Sequence, residues 1–261
     1  MKKNKATVFS SGAIIGTLGG LIGLGGAEFR LPLLIGLFQF ASLEAIILNK
    51  TMSLVVVASA LPFRMGTIPF SELLNHWTVI LNLLAGSLLG AWFGAGWAIA
   101  LKTKTLYKII AVLLVLISFC LLFTHNLTNA NKPLFSEMTQ MIAGVFSGFG
   151  IGIVSSLLGV AGGELLIPTL VLLFGLDIKL AGSLSLAISL PTMLTGFTRY
   201  RADKSFAVVT QNWTFVFVMV FGSLVGAFLG GQLVGIVPTS VLLPLLAVIL
   251  MLSAVKVWRH E

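Results

Sequence analysis

Long runs of apolar residues, separated by short polar stretches, recur along the whole chain. Ten such segments lie at about 6–26, 29–48, 51–63, 77–101, 106–124, 138–160, 164–176, 180–197, 207–236 and 239–257. Several are long enough for a helix of roughly 20 residues, the length that crosses the hydrocarbon core of a bilayer. A transmembrane barrel would instead show short segments of alternating polarity. The sequence therefore predicts an all-α membrane protein with about 8–10 hydrophobic segments.

The charge content supports the same class of protein. Only 9% of the 261 residues are charged and 57% are hydrophobic, whereas soluble domains carry roughly 25% charged residues. A net charge of +8 would suggest nucleic-acid binding in a soluble protein. Here most Lys and Arg fall between apolar runs, where they set the orientation in the membrane. We therefore expect the protein to have the lipid bilayer as its partner and to bind no nucleic acid.

The sequence lacks the motifs of enzymes and metal sites. It contains no nucleophile elbow, no P-loop and no pair of catalytic carboxylates. The single cysteine, Cys120, lies in an apolar stretch without a His or Cys cluster near it. We therefore expect no enzyme activity, no catalytic residue, no metal, no cofactor and no ATP-driven pump.

The two halves of the chain repeat each other. A shift of 136 positions aligns residues from about 11 to 94 with the second half without a gap. Matched pairs include Gly16/Gly152, Gly26/Gly162, Glu28/Glu164, Pro32/Pro168, Trp77/Trp213, Gly86/Gly222, Gly90/Gly226 and Gly94/Gly230. Biased membrane composition does not produce paired Trp, Pro and Glu at one constant offset. We predict a single transmembrane domain over 1–261, with repeat 1 at about 7–124 and repeat 2 at about 138–257.

The basic residues indicate that the second repeat is inverted relative to the first. Basic residues are concentrated at the N-terminus, at 102–108, at 199–204 and at the C-terminus. Fewer occur near 64–76, 125–137 and 236–239. By the positive-inside rule the first group is cytoplasmic, so each repeat makes an odd number of crossings and both termini are cytoplasmic. Inverted repeats are common in secondary transporters, with the substrate site near the bilayer midplane between them.

The strongest motif is a paired glycine-rich stretch, GLGGAEFRLP at 23–32 and GVAGGELLIP at 159–168. Glycines free the backbone for unusual dihedral angles, and proline is tolerated in the first turn of a helix. The motif therefore predicts broken or re-entrant helices, in which one helix ends and another starts inside the membrane. The exposed N–H groups and the positive dipole end of the second helix would attract an anion. The candidate backbone sites are Gly25, Gly26, Gly162 and Gly163.

Glycines can also serve only to let helices pack closely. This remains the alternative interpretation of the paired motif. It is the favoured interpretation of the two regularly spaced glycine series, 86/90/94 and 222/226/230.

Glu28 and Glu164 are repeat-related acids within apolar sequence. An ionisable group inside a membrane is a functional candidate, because its insertion costs roughly 2.5–3.5 kcal/mol at a helix centre. One interpretation is proton coupling, since a partly desolvated carboxylate titrates closer to neutral pH. The other is structural, with each acid capping the free N–H groups at a helix start. The sequence leaves both open.

Arg30 has no counterpart in the second repeat, where Leu166 takes its place. Its guanidinium could pair with Glu28, face an anionic substrate, or extend to a nearby interface.

A polar patch follows this motif in each repeat. In the first repeat it contains Asn49, Lys50, Thr51 and Ser53, and in the second Ser183, Ser185 and Ser189. Amides and hydroxyls at this depth suit the oxygens of sulfite or a sulfonate, but they also bond one helix to another. We include all of these except Ser183, together with the two glutamates and Arg30, among the candidate substrate-binding residues.

The paired motifs, the Ser53-Leu54 and Ser185-Leu186 dipeptides and the two-fold repeat resemble the TauE/SafE family of sulfite exporters. The resemblance covers essentially the whole chain, and the second motif is similar to the family's form almost residue for residue. The first departs from it at Ala27, where the family usually has a third glycine, and at Arg30, where an apolar residue is usual. The resemblance implies a multi-pass anion permease that exports sulfite or organosulfonates, in the cytoplasmic (inner) membrane of a bacterium.

The leading hypothesis is a secondary carrier that exports a small sulfur-containing oxyanion, such as sulfite, sulfoacetate or a related organosulfonate. One alternative is a carrier of another small anion, or of a metal ion with Glu28 and Glu164 as ligands. A non-transporting membrane scaffold is the other alternative. Proton coupling and a homo-oligomer stay open.

The orientation can be tested by cysteine labelling in a Cys120→Ala chain. We expect Lys104→Cys to stay unlabelled when an impermeant maleimide is added outside intact cells, because the 102–108 loop is cytoplasmic. Asn129→Cys should be labelled under the same conditions, because 125–137 lies outside. Labelling at position 104 from outside would contradict the inverted arrangement.

Overall fold

In a computed structural model, residues 4–22, 26–65, 70–124, 137–232 and 239–259 are described, and no strand occurs among them. The helices are α1 Lys5–Ile22, α2 Ala27–Gly36, α3 Ser42–Met65, α4 Phe70–Asn75, α5 Trp77–Ala100, α6 Thr103–Thr124, α7 Glu137–Leu158, α8 Gly163–Phe174, α9 Ile178–Arg201, α10 Ala207–Gln211, α11 Trp213–Gln232 and α12 Thr239–Trp258. A 3₁₀ turn, Lys204–Phe206, precedes α10.

Within the described ranges, six helices are long and apolar enough to cross a membrane. The candidate spans are Ser42–Ser59, Trp77–Ala100, Thr103–Cys120, Met138–Leu158, Leu180–Arg201 and Trp213–Gly230. These spans confirm the predicted all-α, multi-pass membrane protein. The half-helices α2 and α8, with 10 and 12 residues, are too short to cross.

One predicted boundary is wrong. The sequence segments 29–48 and 51–63 meet at the polar patch, but α3 runs through that patch without interruption, from Ser42 to Met65. The break lies earlier, where α2 ends at Gly36. The helix continues through Asn49 and Lys50 because their side chains are buried and bonded to the second repeat. A polar patch therefore marks a contact between the repeats at this position, not a loop.

The helix starts follow the 136-residue offset. The first residues of the matched helices are Ala27 and Gly163 for α2 and α8, Trp77 and Trp213 for α5 and α11, and Thr103 and Thr239 for α6 and α12. Matching elements therefore begin at matching positions in the two halves. The inversion of the second repeat in the membrane stays a prediction.

The contacts between the two repeats include two long helix pairs. Helix α1 packs along α11, and α5 packs along α7. A Cβ atom on Gly90 of α5 would overlap the carbonyl oxygen of Phe149 of α7, and one on Gly226 of α11 would overlap that of Ala13 of α1. These two contacts are related by the same 136-residue offset. The two pairs are therefore copies of one interface, built on close approach of the backbones.

The remaining members of the two glycine series make the same kind of contact. The repeat-related contacts are Gly86 with Val145 and Gly222 with Phe9, then Gly94 with Ile153 and Gly230 with Thr17. The interpretation of these series as close-packing faces is thus confirmed.

Helices α3 and α9 form the centre of the fold. They pack against each other, with α2 against α3 and α8 against α9. In both central spans 61% of the residues are buried, against 39–44% in the other four. The half-helices therefore begin inside the protein and not at its lipid-facing surface.

The packing faces can be tested by Gly90→Ala and Gly226→Ala. Each added methyl group meets backbone that cannot move aside, and such overpacking costs about 1–3 kcal/mol. We expect similar falls in the thermal unfolding midpoint of the two variants in detergent, because the two contacts are repeat-related.

Gly150→Ala is the matched control. Gly150 also lies in α7, but nothing lies within 4 Å of the position that its Cβ would take. Because alanine favours a helix more than glycine does, the midpoint of this variant should not fall. An equal loss in this control would show that alanine itself destabilises these helices and that packing is not the cause.

Candidate functional site

Each half-helix begins at a glycine in the left-handed backbone region. Gly26 has φ 70° and precedes α2, and Gly162 has φ 81° and precedes α8. Residues with a Cβ rarely adopt this conformation. At Gly26 a Cβ would also lie 2.5 Å from the carbonyl oxygen of Ile15, so there is no room for one. The predicted helix breaks are thus present, while Gly25 lies outside the described residues.

The starts of α2 and α8 expose backbone donors. The carbonyl of Gly26 accepts from the N–H groups of Phe29 and Arg30, both at 3.2 Å. The carbonyl of Gly162 likewise accepts from Leu165 at 3.1 Å and Leu166 at 2.9 Å. The N–H groups before these residues, including that of Gly163, have no acceptor within their own helix. Each start therefore carries free donors and the positive end of a helix dipole.

Glu28 and Glu164 occupy the first turns of α2 and α8 and are almost completely buried. Their carboxyl groups lie within hydrogen-bonding reach of each other. Each carboxyl also lies beside its own backbone N–H, in a geometry that makes no hydrogen bond. None of the four carboxyl oxygens accepts a hydrogen bond from any donor in the described part of the chain. This geometry gives no support to the capping interpretation. The acids in the first turns of the two half-helices instead face each other.

Arg30 is completely buried and lies one half-turn after Glu28 on α2. Its Nη1 donates to the Ser53 hydroxyl of α3 at 3.5 Å, and its charge acts on the Glu28 carboxyl. The structure therefore brings Arg30 next to the acid pair, with Ser53 bonded to it. In the second repeat, the buried Leu166 stands in the position of this arginine.

Lys50 is directed away from the helix starts, towards the end of α7. Its ammonium donates to the Ser155 carbonyl at 3.1 Å, the Ser155 hydroxyl at 3.0 Å and the Val160 carbonyl at 3.4 Å. An ammonium group has three N–H donors, so all of them are used by the protein. A cation is also favourable at the negative end of a helix dipole. The geometry makes Lys50 a positioning residue of the second break and leaves it no donor for a substrate.

Two more side chains bind the same end of α7. The Asn49 amide donates to the Leu158 carbonyl and to the Ala27 carbonyl of α2, both at 3.0 Å, and so joins the two breaks. The Tyr200 hydroxyl, fully buried on α9, donates to the Ser156 carbonyl at 2.9 Å. Sequence patterns gave no sign of Tyr200, because a tyrosine between two arginines carries no signal of burial.

The other predicted hydroxyls divide into two groups. Thr51 donates to the Ile47 carbonyl and Ser185 to the Gly182 carbonyl, both at 2.8 Å, within their own helices. The Ser189 hydroxyl is buried and has no partner among the described residues. The oxygen of the Asn49 amide is also buried and has no partner among the described residues. Unsatisfied buried polar atoms are costly, so these two suit a site that takes a polar ligand.

The prolines of the motif lie later than predicted. Pro32 and Pro168 are the sixth residues of α2 and α8, not members of the first turn. A proline has no N–H to bond the carbonyl four residues earlier. In α8 this frees the carbonyl of Glu164, which accepts a hydrogen bond from the Cys120 thiol of α6 at 3.5 Å. Pro168 and Cys120 therefore both determine how the backbone carbonyl of Glu164 is bonded.

The fold and this centre define a multi-pass helical membrane protein with two intramembrane helix breaks that meet at buried charged groups. A family model described as "Sulfite exporter TauE/SafE" matches residues 8–257, so the chain belongs to that family and is a membrane transporter. It is similar to "Probable membrane transporter protein YunE" of Bacillus subtilis (strain 168), with 24% identity and 92% of each chain covered. No solved structure matches the chain.

The positioning role of Lys50 predicts the behaviour of Lys50→Met. Loss of the ammonium removes a donor from buried carbonyls, which costs about 1–3 kcal/mol. We expect a lower unfolding midpoint and a lower maximal transport rate, with an unchanged KM for the transported anion.

Lys104→Met, at an exposed lysine, is the control and should leave all three quantities unchanged. A Lys50→Met protein of normal stability with a raised KM would instead place this ammonium at the substrate.

Proposed function

We propose that this transporter is a secondary carrier, and not an enzyme, that exports a small sulfur-containing oxyanion such as sulfite, sulfoacetate or a related organosulfonate. The observation that carries the proposal is that the first turns of two half-helices bring two buried acids together beside the buried Arg30. The description of the family as sulfite exporters supports the choice of substrate. We further propose the cytoplasmic membrane of a bacterium as its location, with both termini inside.

The centre offers an oxyanion three kinds of positive partner. Two helix dipoles end there, each equivalent to about half an elementary charge. Arg30 adds a full charge and a planar fork of N–H donors that matches two oxygens of a sulfonate. Ser53, whose hydroxyl accepts from this arginine, can bind a further oxygen. A tetrahedral sulfur oxyanion has three oxygens to fill these positions.

A metal ion fits the centre less well. The two glutamates could act as ligands, but Arg30 adds a positive charge within reach of Glu28. No group of three His, Cys, Asp or Glu side chains comes together in the described ranges. A non-transporting scaffold would gain nothing from a buried arginine and two buried acids, which are costly in a membrane.

Counterflow in proteoliposomes tests the proposal. Vesicles preloaded with unlabelled sulfite or sulfoacetate should accumulate the labelled anion, while acetate and chloride should give weaker counterflow. Arg30→Leu copies the second repeat and should weaken sulfonate affinity at least ~10-fold, or about 1.4 kcal/mol. Arg30→Lys keeps the charge without the planar fork, so its affinity should lie between the two.

Gly150→Leu serves as the control, since its side chain extends into open space. Counterflow of acetate equal to that of sulfoacetate would move the proposal to an organic-anion carrier. Unchanged affinity in a stably folded Arg30→Leu would remove this arginine from the site. If Arg30 only pairs with Glu28, Arg30→Leu should instead lose stability, and Glu28→Gln in the same chain should partly restore it.

A further inference from the structure

We propose that Glu28 and Glu164 form a proton-binding site that shares one proton when empty and takes up a second proton together with the anion. This inference rests on the anion-carrier function proposed above and adds the coupling ion to it. It follows from the placement of the two acids, the lack of donors around them and the charge of the site.

Two acceptors that face each other need a proton between them. The carboxyl groups of Glu28 and Glu164 lie within hydrogen-bonding reach, and their oxygens meet no donor in the described part of the chain. Like charges this close cannot both stay ionised in a buried site. One proton supplies the missing O–H donor, and the pair then carries a single negative charge.

Few other titratable groups act on this pair. Arg30 of α2 does so through its charge. Lys50 of α3 is bound to the end of α7, and Cys120 of α6 donates to the Glu164 carbonyl. Lys256 of α12 lies at the opposite end of α2, beside Gly36. Among the described side chains, the charge of the centre is therefore set by the acid pair and Arg30.

This charge balance links the anion to a second proton. With one shared proton, the pair at −1 and Arg30 at +1 leave the empty site neutral. A monovalent sulfonate would bring a second negative charge to the same two helix starts. Protonation of the remaining carboxylate removes that conflict and leaves the N–H groups at the helix starts available to the anion. The loaded site, with a neutral pair, the arginine and one anion, is again neutral.

A site that is neutral both empty and loaded can pass through a low-dielectric region in either state without an added charge penalty. The carrier should therefore move one proton with each monovalent anion, in the same direction. Net transfer is electroneutral, so the membrane potential does not drive it. Export then follows an outward gradient of the anion, and an inward pH gradient opposes it.

Proton uptake by the purified protein tests the pair directly. Methanesulfonate is the probe, because it stays a monovalent anion at every pH used. Its addition to weakly buffered protein in detergent should remove about one proton per anion bound, measured with a pH indicator dye. Above the pH at which the pair titrates, the Kd should rise about tenfold per pH unit. Binding with no proton uptake would overturn the inference.

Three variants locate the protons. Glu28→Gln and Glu164→Gln each keep one carboxyl, now facing an amide donor, and should still take up one proton per anion. The double variant should bind methanesulfonate with an affinity independent of pH and without proton uptake. Glu72→Gln, at an exposed acid, should behave as the unmodified chain. Proton uptake that persists in the double variant would place the protons elsewhere.

Transport in proteoliposomes completes the test. An inward methanesulfonate gradient should acidify the lumen, and a potential set with valinomycin should leave the flux unchanged. A flux that follows the potential, without acidification, would overturn the coupling but leave the carrier function in place. The absence of binding and counterflow for every sulfur oxyanion would overturn the proposed function itself.

Discussion

A helix that ends inside a membrane leaves backbone carbonyl and N–H groups without partners, and this constraint governs the centre of the protein. At the end of α7, the acceptor side is satisfied by Asn49, Lys50 and Tyr200, from the two central helices. At the starts of α2 and α8, the donor side instead faces two acids that lack hydrogen-bond donors among the described residues. The protein thus uses its own side chains to satisfy carbonyls, whereas the N–H groups at the two helix starts are the donors of the proposed site.

The two repeats share a backbone framework but differ in charge. Many glycines and helix starts correspond at the 136-residue offset. At the same offset, Arg30 and Lys50 of the first repeat correspond to the apolar Leu166 and Leu186 of the second. The first repeat therefore contributes both buried cations, and the second contributes the carbonyls that bind one of them. A duplicated framework supplies two repeat-related helix starts, while differences at single positions give the two halves different charges.

The features that the sequence predicted are those encoded by local patterns. The breaks at Gly26 and Gly162 follow from glycine-rich stretches, and the packing faces follow from regular glycine spacing at a constant offset. The contact between Glu28 and Glu164, and the partners of Lys50, join residues more than a hundred positions apart. No local pattern encodes such pairs. The boundary placed at the polar patch was wrong for the same reason, since its partners lie in the other repeat.

The interlocked helix pairs also bear on how the chain is made. Helix α1 packs on the glycine face of α11, which the ribosome produces about two hundred residues later. During synthesis the first helix therefore enters the bilayer with its packing face covered only by lipid or by other proteins. Contacts of such large sequence separation form late and slow the completion of a fold. The order of the helices in the chain therefore causes a delay between the insertion of α1 and its packing on α11. This delay would persist however quickly each segment enters the membrane.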